Sequence, residues 1–216
     1  MTCILALETA TDACSGALYR NGDIQERFEP GARRQTERIL PLVDELLAEA
    51  GVTLAAVDAL AFGHGPGAFT GVRVATSVVQ GLAFARDLPV AGVSTLAACA
   101  LAAFDRYPHR SRVLAAFDAR MGELYLGAYQ CGPDGVVPLL ADGLFDPDAV
   151  PELDGDDWLL AGSGAVYREQ IAAEVDAEVA PRAGAVARLA LPMVEQGRTV
   201  PAEQAQPVYL RDRVVN

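Results

Sequence analysis

Apolar residues arrive in short blocks from the start of the chain: Cys3 to Glu8, Cys14 to Tyr19, and Asp23 to Phe28. Asn21-Gly22 separates the last two, and this pair marks a tight hairpin because both residues accept positive φ. Three strands are predicted. Ile39, Leu40, Val43, Leu46 and Leu47 then recur at helical spacing as far as Gly51, a suitable residue just past a helix end, and predict a helix over Arg34 to Ala50. Pro41 lies within it, where it must kink the helix or mark its true start, since it removes a donor and crowds the carbonyl of Glu37. A strand over Asp58 to Phe62, a glycine-rich loop over Gly63 to Gly71, a helix over Val72 to Arg86, a strand over Pro89 to Val93 and a helix over Ser94 to Tyr107 complete a βββαβαβα order.

The order restarts near Arg112. A strand over Val113 to Phe117 ends in Asp118, and a second over Leu124 to Gln130 leads through a Gly132-Pro133-Asp134-Gly135 turn to a returning strand. Beyond it the pattern predicts a weak helix over Asp146 to Leu153, a strand over Asp157 to Ala161, a Gly162-Ser163-Gly164 turn opening a helix to about Val175, and a helix over Gly184 to Gln196. Alignment of the two halves matches Glu8 with Asp118, each at the end of a first strand and each before a hairpin. The expected fold class is α/β and actin-like (ASKHA), with two ribonuclease-H-like lobes, each a mixed sheet with flanking helices. The first lobe would span 1–107 and the second 108–216, with the C-terminal segment packing back on the first.

The 216 residues are 51% hydrophobic and 21% charged, a globular composition. Cys3 to Leu7 and Val90 to Ala103 are the most apolar windows, and both fall short of the roughly 18 residues a membrane span needs. No basic region precedes the first apolar run, so a secretory signal is not expected and the expected compartment is the cytoplasm. A net charge of −12 opposes autonomous binding to a phosphate backbone. The nearest basic cluster, Arg106, His109, Arg110 and Arg112, is small and offers a nucleic acid at most an edge contact. Cys3, Cys14, Cys99 and Cys131 are far apart in apolar surroundings and read as reduced core residues.

The loop Gly63-His64-Gly65-Pro66-Gly67-Ala68-Phe69-Thr70-Gly71 precedes a helix, an arrangement that can cradle phosphate. A Walker loop, however, needs Lys then Ser/Thr after its last glycine, and Val72-Arg73 stand there. The alternative is a tight strand-to-helix connection with Phe69 anchored in the core. Gly162 and Gly164 are weak candidates for a nucleotide-contacting turn. Glu8 and Asp118 stand where actin-like kinases hold hydrated Mg²⁺, and the competing reading has them capping strand ends by hydrogen bonds to backbone. Only two histidines, His64 and His109, are present, on separate segments, so a His-x-x-x-His metal site cannot form and a Ser/His/Asp triad has little material.

Five stretches together narrow the family: ILALETATDACSGAL from Ile4, GHGPGAFTGVR from Gly63, LPVAGVSTL from Leu88, VLAAFDARMGELY from Val113 and QPVYLRD from Gln206. On these the chain resembles the TsaB (YeaZ) family over nearly its whole length. The resemblance implies a non-catalytic subunit of the bacterial machinery that places threonylcarbamoyl on an adenosine beside the tRNA anticodon. It implies the catalytic paralogue TsaD and the ATPase TsaE as partners, a possible homodimer when isolated, and tRNA reached only through the complex. No cofactor is then expected on this chain alone, ATP and threonylcarbamoyl-AMP being used by the complex. The rival readings are an active small-molecule kinase or ATPase of the actin-like superfamily and a metallopeptidase.

The helix over Val72 to Arg86 carries no charge between Val74 and Ala85, and its apolar residues cover more than half its circumference. Such a helix is sandwiched inside a domain or covered by another protein. The resemblance favours the second, so this helix and the one over Arg34 to Ala50 are expected to form one partner face. The expected face comprises Arg38, Leu42, Glu45, Arg73, Ala75, Thr76, Val79, Gln80 and Ala83.

Overall fold

The computed structural model describes residues 2–31, 34–133, 135–155, 157–171 and 174–211. Its first sheet holds β1 (Cys3–Glu8), β2 (Cys14–Arg20), β3 (Asp23–Glu29), β4 (Ala59–Gly63) and β5 (Val90–Val93), in the order β3-β2-β1-β4-β5. The first three strands pair antiparallel and β1, β4 and β5 pair parallel. Asn21 and Gly22 adopt φ of 55° and 97°, the turn that the pair predicts. The second sheet holds β6 (Arg112–Arg120), β7 (Glu123–Gly132), β8 (Gly135–Phe145), β9 (Trp158–Ala161) and β10 (Glu174–Asp176), in the order β10-β9-β6-β7-β8. Both sheets therefore use one plan, an antiparallel meander extended by two parallel strands.

Every residue of β1 is buried, and its two faces meet different helices. Leu5 and Leu7 pack with α1 (Gln35–Glu49) and α2 (Phe69–Arg86), through Ile39, Leu42, Val43, Leu46, Ala75, Val79 and Ala83. Ile4 and Ala6 pack with α5 (Ala183–Glu195) through Ala183, Val186, Ala187 and Ala190, small residues that let helix and sheet approach closely. α3 (Thr95–Arg106) instead lays Leu96, Cys99, Ala103 and Phe104 against Val113, Ala115 and Phe117 of the second sheet. The far face of that sheet is closed by Tyr167 and by Ile171 of α4 (Arg168–Ile171). The helices thus depart from a simple cut at residue 107, since α5 of the second half covers the first sheet while α3 of the first half covers the second.

Five local expectations are corrected. In place of a helix over Asp146 to Leu153 there is one 3-10 turn, Pro147–Ala149, because Pro151 and the polar residues around Asp154 supply no further apolar stripe. The expected helix to Val175 ends at Ile171, and Val175 belongs to β10, held parallel to β9 by pairing with Leu160. α2 begins at Phe69, three residues before the predicted start, and Phe69 is 53% exposed rather than anchored in the core. Cys131 is exposed, unlike Cys3, Cys14 and Cys99, because it sits where β7 runs out past the core toward its turn. Pro41 lies inside α1 on its exposed side. Within the predicted turn Asp134, within the expected last helix of the Gly-Ser-Gly turn Ala172 and Ala173, and within the C-terminal motif Asp212 lie outside the described residues. No helix among the described residues is long and apolar enough to cross a membrane.

Candidate functional site: the interlobe cleft and the outer helix pair

The carboxyl ends of β1 and β6 point toward a cleft of about 1110 Å³ between the lobes. At each end one carboxylate makes the same local bond: Glu8 Oε1 accepts from the Ala10 amide at 2.6 Å, and Asp118 Oδ1 accepts from the Arg120 amide at 2.8 Å. The backbone-capping role suggested for the pair is thus the contact present at both positions, and the matching geometry reflects the repeat. Their surroundings differ. Glu8 is 2% exposed and wedged against β4, where a Cβ on Gly63 would lie 1.7 Å from its Oε2. Burial pushes its carboxyl up to about 7, against the opposing pull of hydrogen bonds from Ala10, Thr95 and Thr9. Asp118 instead lines the cleft, pairs with Arg120 at 3.1 Å and accepts from Tyr167 Oη at 3.3 Å.

The glycines of both turns are required by packing. A Cβ at Gly67 would come 2.3 Å from Ala10 O, and one at Gly71 would come 2.0 Å from Thr9 O, so the loop lies directly on the end of β1. Thr9 ties the same contact: its Oγ1 donates to Gly71 O at 2.7 Å and accepts from the Ala75 amide at 3.1 Å. Gly162 (φ 100°) and Gly164 approach Ala116 of β6 in the same way. His64 in the loop is held below the usual imidazole range, to about 4, by burial. Glu8, buried and wedged against β4, does not fit the Mg²⁺ role open to an actin-like kinase. Its side chain is turned into the lobe, whereas Gly67 and Asp118 line the cleft. Among the described residues no group of three His, Cys, Asp or Glu is placed to hold a metal ion.

The nine residues expected on a partner face divide. Leu42, Ala75, Val79 and Ala83 have no exposure, and Thr76 is 5% exposed with its hydroxyl on Val72 O at 2.7 Å. These five face the first lobe and cannot meet a partner, because the apolar stripe of each helix is spent on the sheet. Arg38 pairs with Glu29 at 2.6 Å and with Glu45 at 3.3 Å, so Arg38 and Glu45 form a local ionic network beside β3. Gln80 donates to Ala205 O at 2.8 Å, and Arg73 stacks 3.5 Å over the Phe69 ring. Between Val74 and Ala85 the exposed residues of α2 are Ser77, Gly81, Phe84 and Ala85, and those of α1 include Leu40 and Pro41 beside the charged Glu37 and Asp44. Phe84 is 83% exposed and a side chain at Gly81 would meet nothing within 4 Å.

The basic cluster is largely neutralised: Arg106 pairs with Asp176 at 3.2 Å, Arg110 with Asp157 and Glu174, and Arg112 donates to Asp154 O at 2.6 Å. His109 is exposed. Periodicity does not disclose the group at the cleft mouth, where Arg73 Nε donates to Tyr209 Oη at 2.8 Å across 136 residues of sequence. Its signal lies only in two separate motifs, the Phe69 to Arg73 loop end and the Tyr209 to Arg211 tail.

The family model for TsaD, tRNA N6-adenosine threonylcarbamoyltransferase, matches residues 29–191. The tRNA threonylcarbamoyladenosine biosynthesis protein TsaB of Escherichia coli (strain K12) is 41% identical, over 98% of this chain and 95% of its own. The protein of the same name from Haemophilus influenzae is 39% identical, over 98% and 94%. The solved structure of YeaZ from Pseudomonas aeruginosa superposes with a TM-score of 0.91 at 45% identity, covering 97% of this chain and all of that one. That match places the paired sheets in the actin-like two-lobed fold. Full-length identity, motifs and fold agree: the chain belongs to the TsaB (YeaZ) family, within the wider group that the TsaD family model describes.

Proposed function

We propose that this chain serves in tRNA threonylcarbamoyladenosine biosynthesis as a subunit without catalysis of its own, which docks on a catalytic paralogue of the TsaD type and works beside the ATPase TsaE. ATP and threonylcarbamoyl-AMP are then substrates of the assembled complex, and tRNA is met through it. The name of the E. coli relative supports the pathway. The observation that carries the docking role is the outward strip of α1 and α2. Its most exposed member, Phe84, stands on a helix face with no charge from Val74 to Ala85. A TsaD-type paralogue is the fitting occupant, because a partner with the same fold offers an equivalent helix pair, and the exposed backbone at Gly81 permits close approach.

Gly81→Glu and Phe84→Glu are expected to leave the thermal melt close to that of the parent while co-elution with the paralogue is lost, because each places a charge in a desolvated contact. Undiminished co-elution of both variants would sink the docking role. The kinase alternative predicts steady ATP turnover by the pure chain with a suitable acceptor. The burial of Glu8 leads us to expect none, and a phosphate-release assay on the isolated protein distinguishes the two.

A further inference from the structure

After α5 the chain runs back along the first lobe. Val200 forms a two-bond bridge with Val90 of β5, at 2.9 Å each way, and the turn Ala202–Gln204 packs beside α2. From there it crosses the cleft mouth. Gln80 of α2 donates to Ala205 O, and the Val208 amide donates to His64 O at 2.8 Å. Tyr209 accepts from Arg73, whose guanidinium also lies over Phe69. The next anchor is on the other lobe. Arg211 donates to Glu123 Oε2 at 2.6 Å and to Arg120 O at 3.4 Å, and lies 3.4 Å from Met121 Sδ, all at the tip of the β6–β7 hairpin. That tip is tightly wound, with Arg120 and Met121 both at positive φ, 65° and 58°.

We propose that residues 205–211 form a clasp that sets the opening of the interlobe cleft. The clasp is fixed to the first lobe by Arg73, Gln80 and the His64 carbonyl, and to the second by Arg211. α3 and α5 already join the two lobes, and a link anchored on both sides of the cleft mouth fixes the opening that remains at the cost of a few polar bonds. Two of the first-lobe anchors are on α2, so a load on that helix is transmitted along the clasp to the hairpin tip. The clasp itself follows from this chain's own contacts and does not rest on the proposed docking role.

Paired spin labels measure the opening directly. Thr70→Cys and Val166→Cys, both exposed and on opposite sides of the cleft, serve as label sites in a full chain whose other exposed cysteine is removed by Cys131→Ser. The expected parent result is one narrow distance distribution. Arg211→Ala should lengthen and broaden it, Glu123→Gln should act in the same direction, and Arg73→Ala, which leaves the Gln80 and His64 anchors in place, should act less than Arg211→Ala. The Arg73→Ala/Arg211→Ala pair should not exceed Arg211→Ala alone, because loss of Arg211 already releases the clasp from the second lobe. The charge swap Arg211→Glu with Glu123→Arg should restore the narrow distribution. An unchanged distribution in Arg211→Ala and Glu123→Gln overturns the clasp, whatever the partner experiment shows, as does a double variant whose shift is the sum of the two singles.

Discussion

Val79→Glu is expected to abolish cooperative melting at any temperature where the parent is folded. Val79 has no exposure and lies between α2 and the first sheet, in the cluster that contains Leu5, Leu7 and Phe62. A carboxylate there has no cation within the cluster, so it must stay charged without solvent or take up a proton at a heavy cost. The expected loss exceeds about 4 kcal/mol, a large share of the roughly 5 to 15 kcal/mol that holds a domain together. Ala75→Glu should act alike and also disturb the Thr9 hydroxyl that accepts from the Ala75 amide. Far-UV circular dichroism on heating reads the result. A near-parent melt for both would mean that α2 turns this stripe outward, contrary to the packing described, whereas Gly81→Glu on the same helix should melt normally.

The second large effect is on the pH dependence of stability. Glu8 has its folded pKa raised to about 7 from the ordinary 4.5, chiefly by burial. The folded state therefore holds this proton more tightly than the unfolded chain. The resulting stability is fully present below pH 4.5 and is lost as pH rises through about 7, a change of about 3 kcal/mol. His64 works in the other direction. Its folded pKa is lowered to about 4 from 6.5, so its contribution is present above pH 6.5 and is lost as pH falls toward 4. In the parent the two slopes oppose one another between about pH 4.5 and 6.5. Glu8→Gln keeps an acceptor for the Ala10 amide and removes the titration. Relative to the parent, this variant should gain stability steadily from pH 4.5 to 7 and hold the gain above that. Denaturant midpoints over that range test it, and a parent-to-variant difference that does not vary with pH would refute the buried, proton-binding state of Glu8.

Much of the architecture was legible in residue order. The β1 run, the Asn21-Gly22 turn and the stripes of α1, α3 and α5 are local patterns, and each is met within one or two residues. The duplication could be read because Glu8 and Asp118 occupy equivalent strand ends. β10 could not, because Glu174-Val175-Asp176 is three residues long and becomes a strand only by pairing with β9. Ala75, Val79 and Ala83, expected on a partner face, are buried against the first sheet, on the arc of α2 opposite Ser77 and Gly81. Apolarity over most of α2 was visible, but which arc faced the sheet was not.

That division has one physical origin. Strand and helix follow from steric and hydrophobic periodicities among neighbours, so the chain's order sufficed for the elements, for the absence of a His-x-x-x-His pair and for the missing Walker lysine. Burial is decided by what arrives from far along the chain. Thr76, small and polar, is buried because its hydroxyl is satisfied by Val72 O, while Phe69, large and apolar, is left outside to hold Arg73 against Tyr209. The inward turn of Glu8 depends on Gly63, and the closure of the cleft mouth on Arg211 reaching Glu123 across 88 residues. Contacts of such separation leave no period in the sequence, and only the folded chain brings them together.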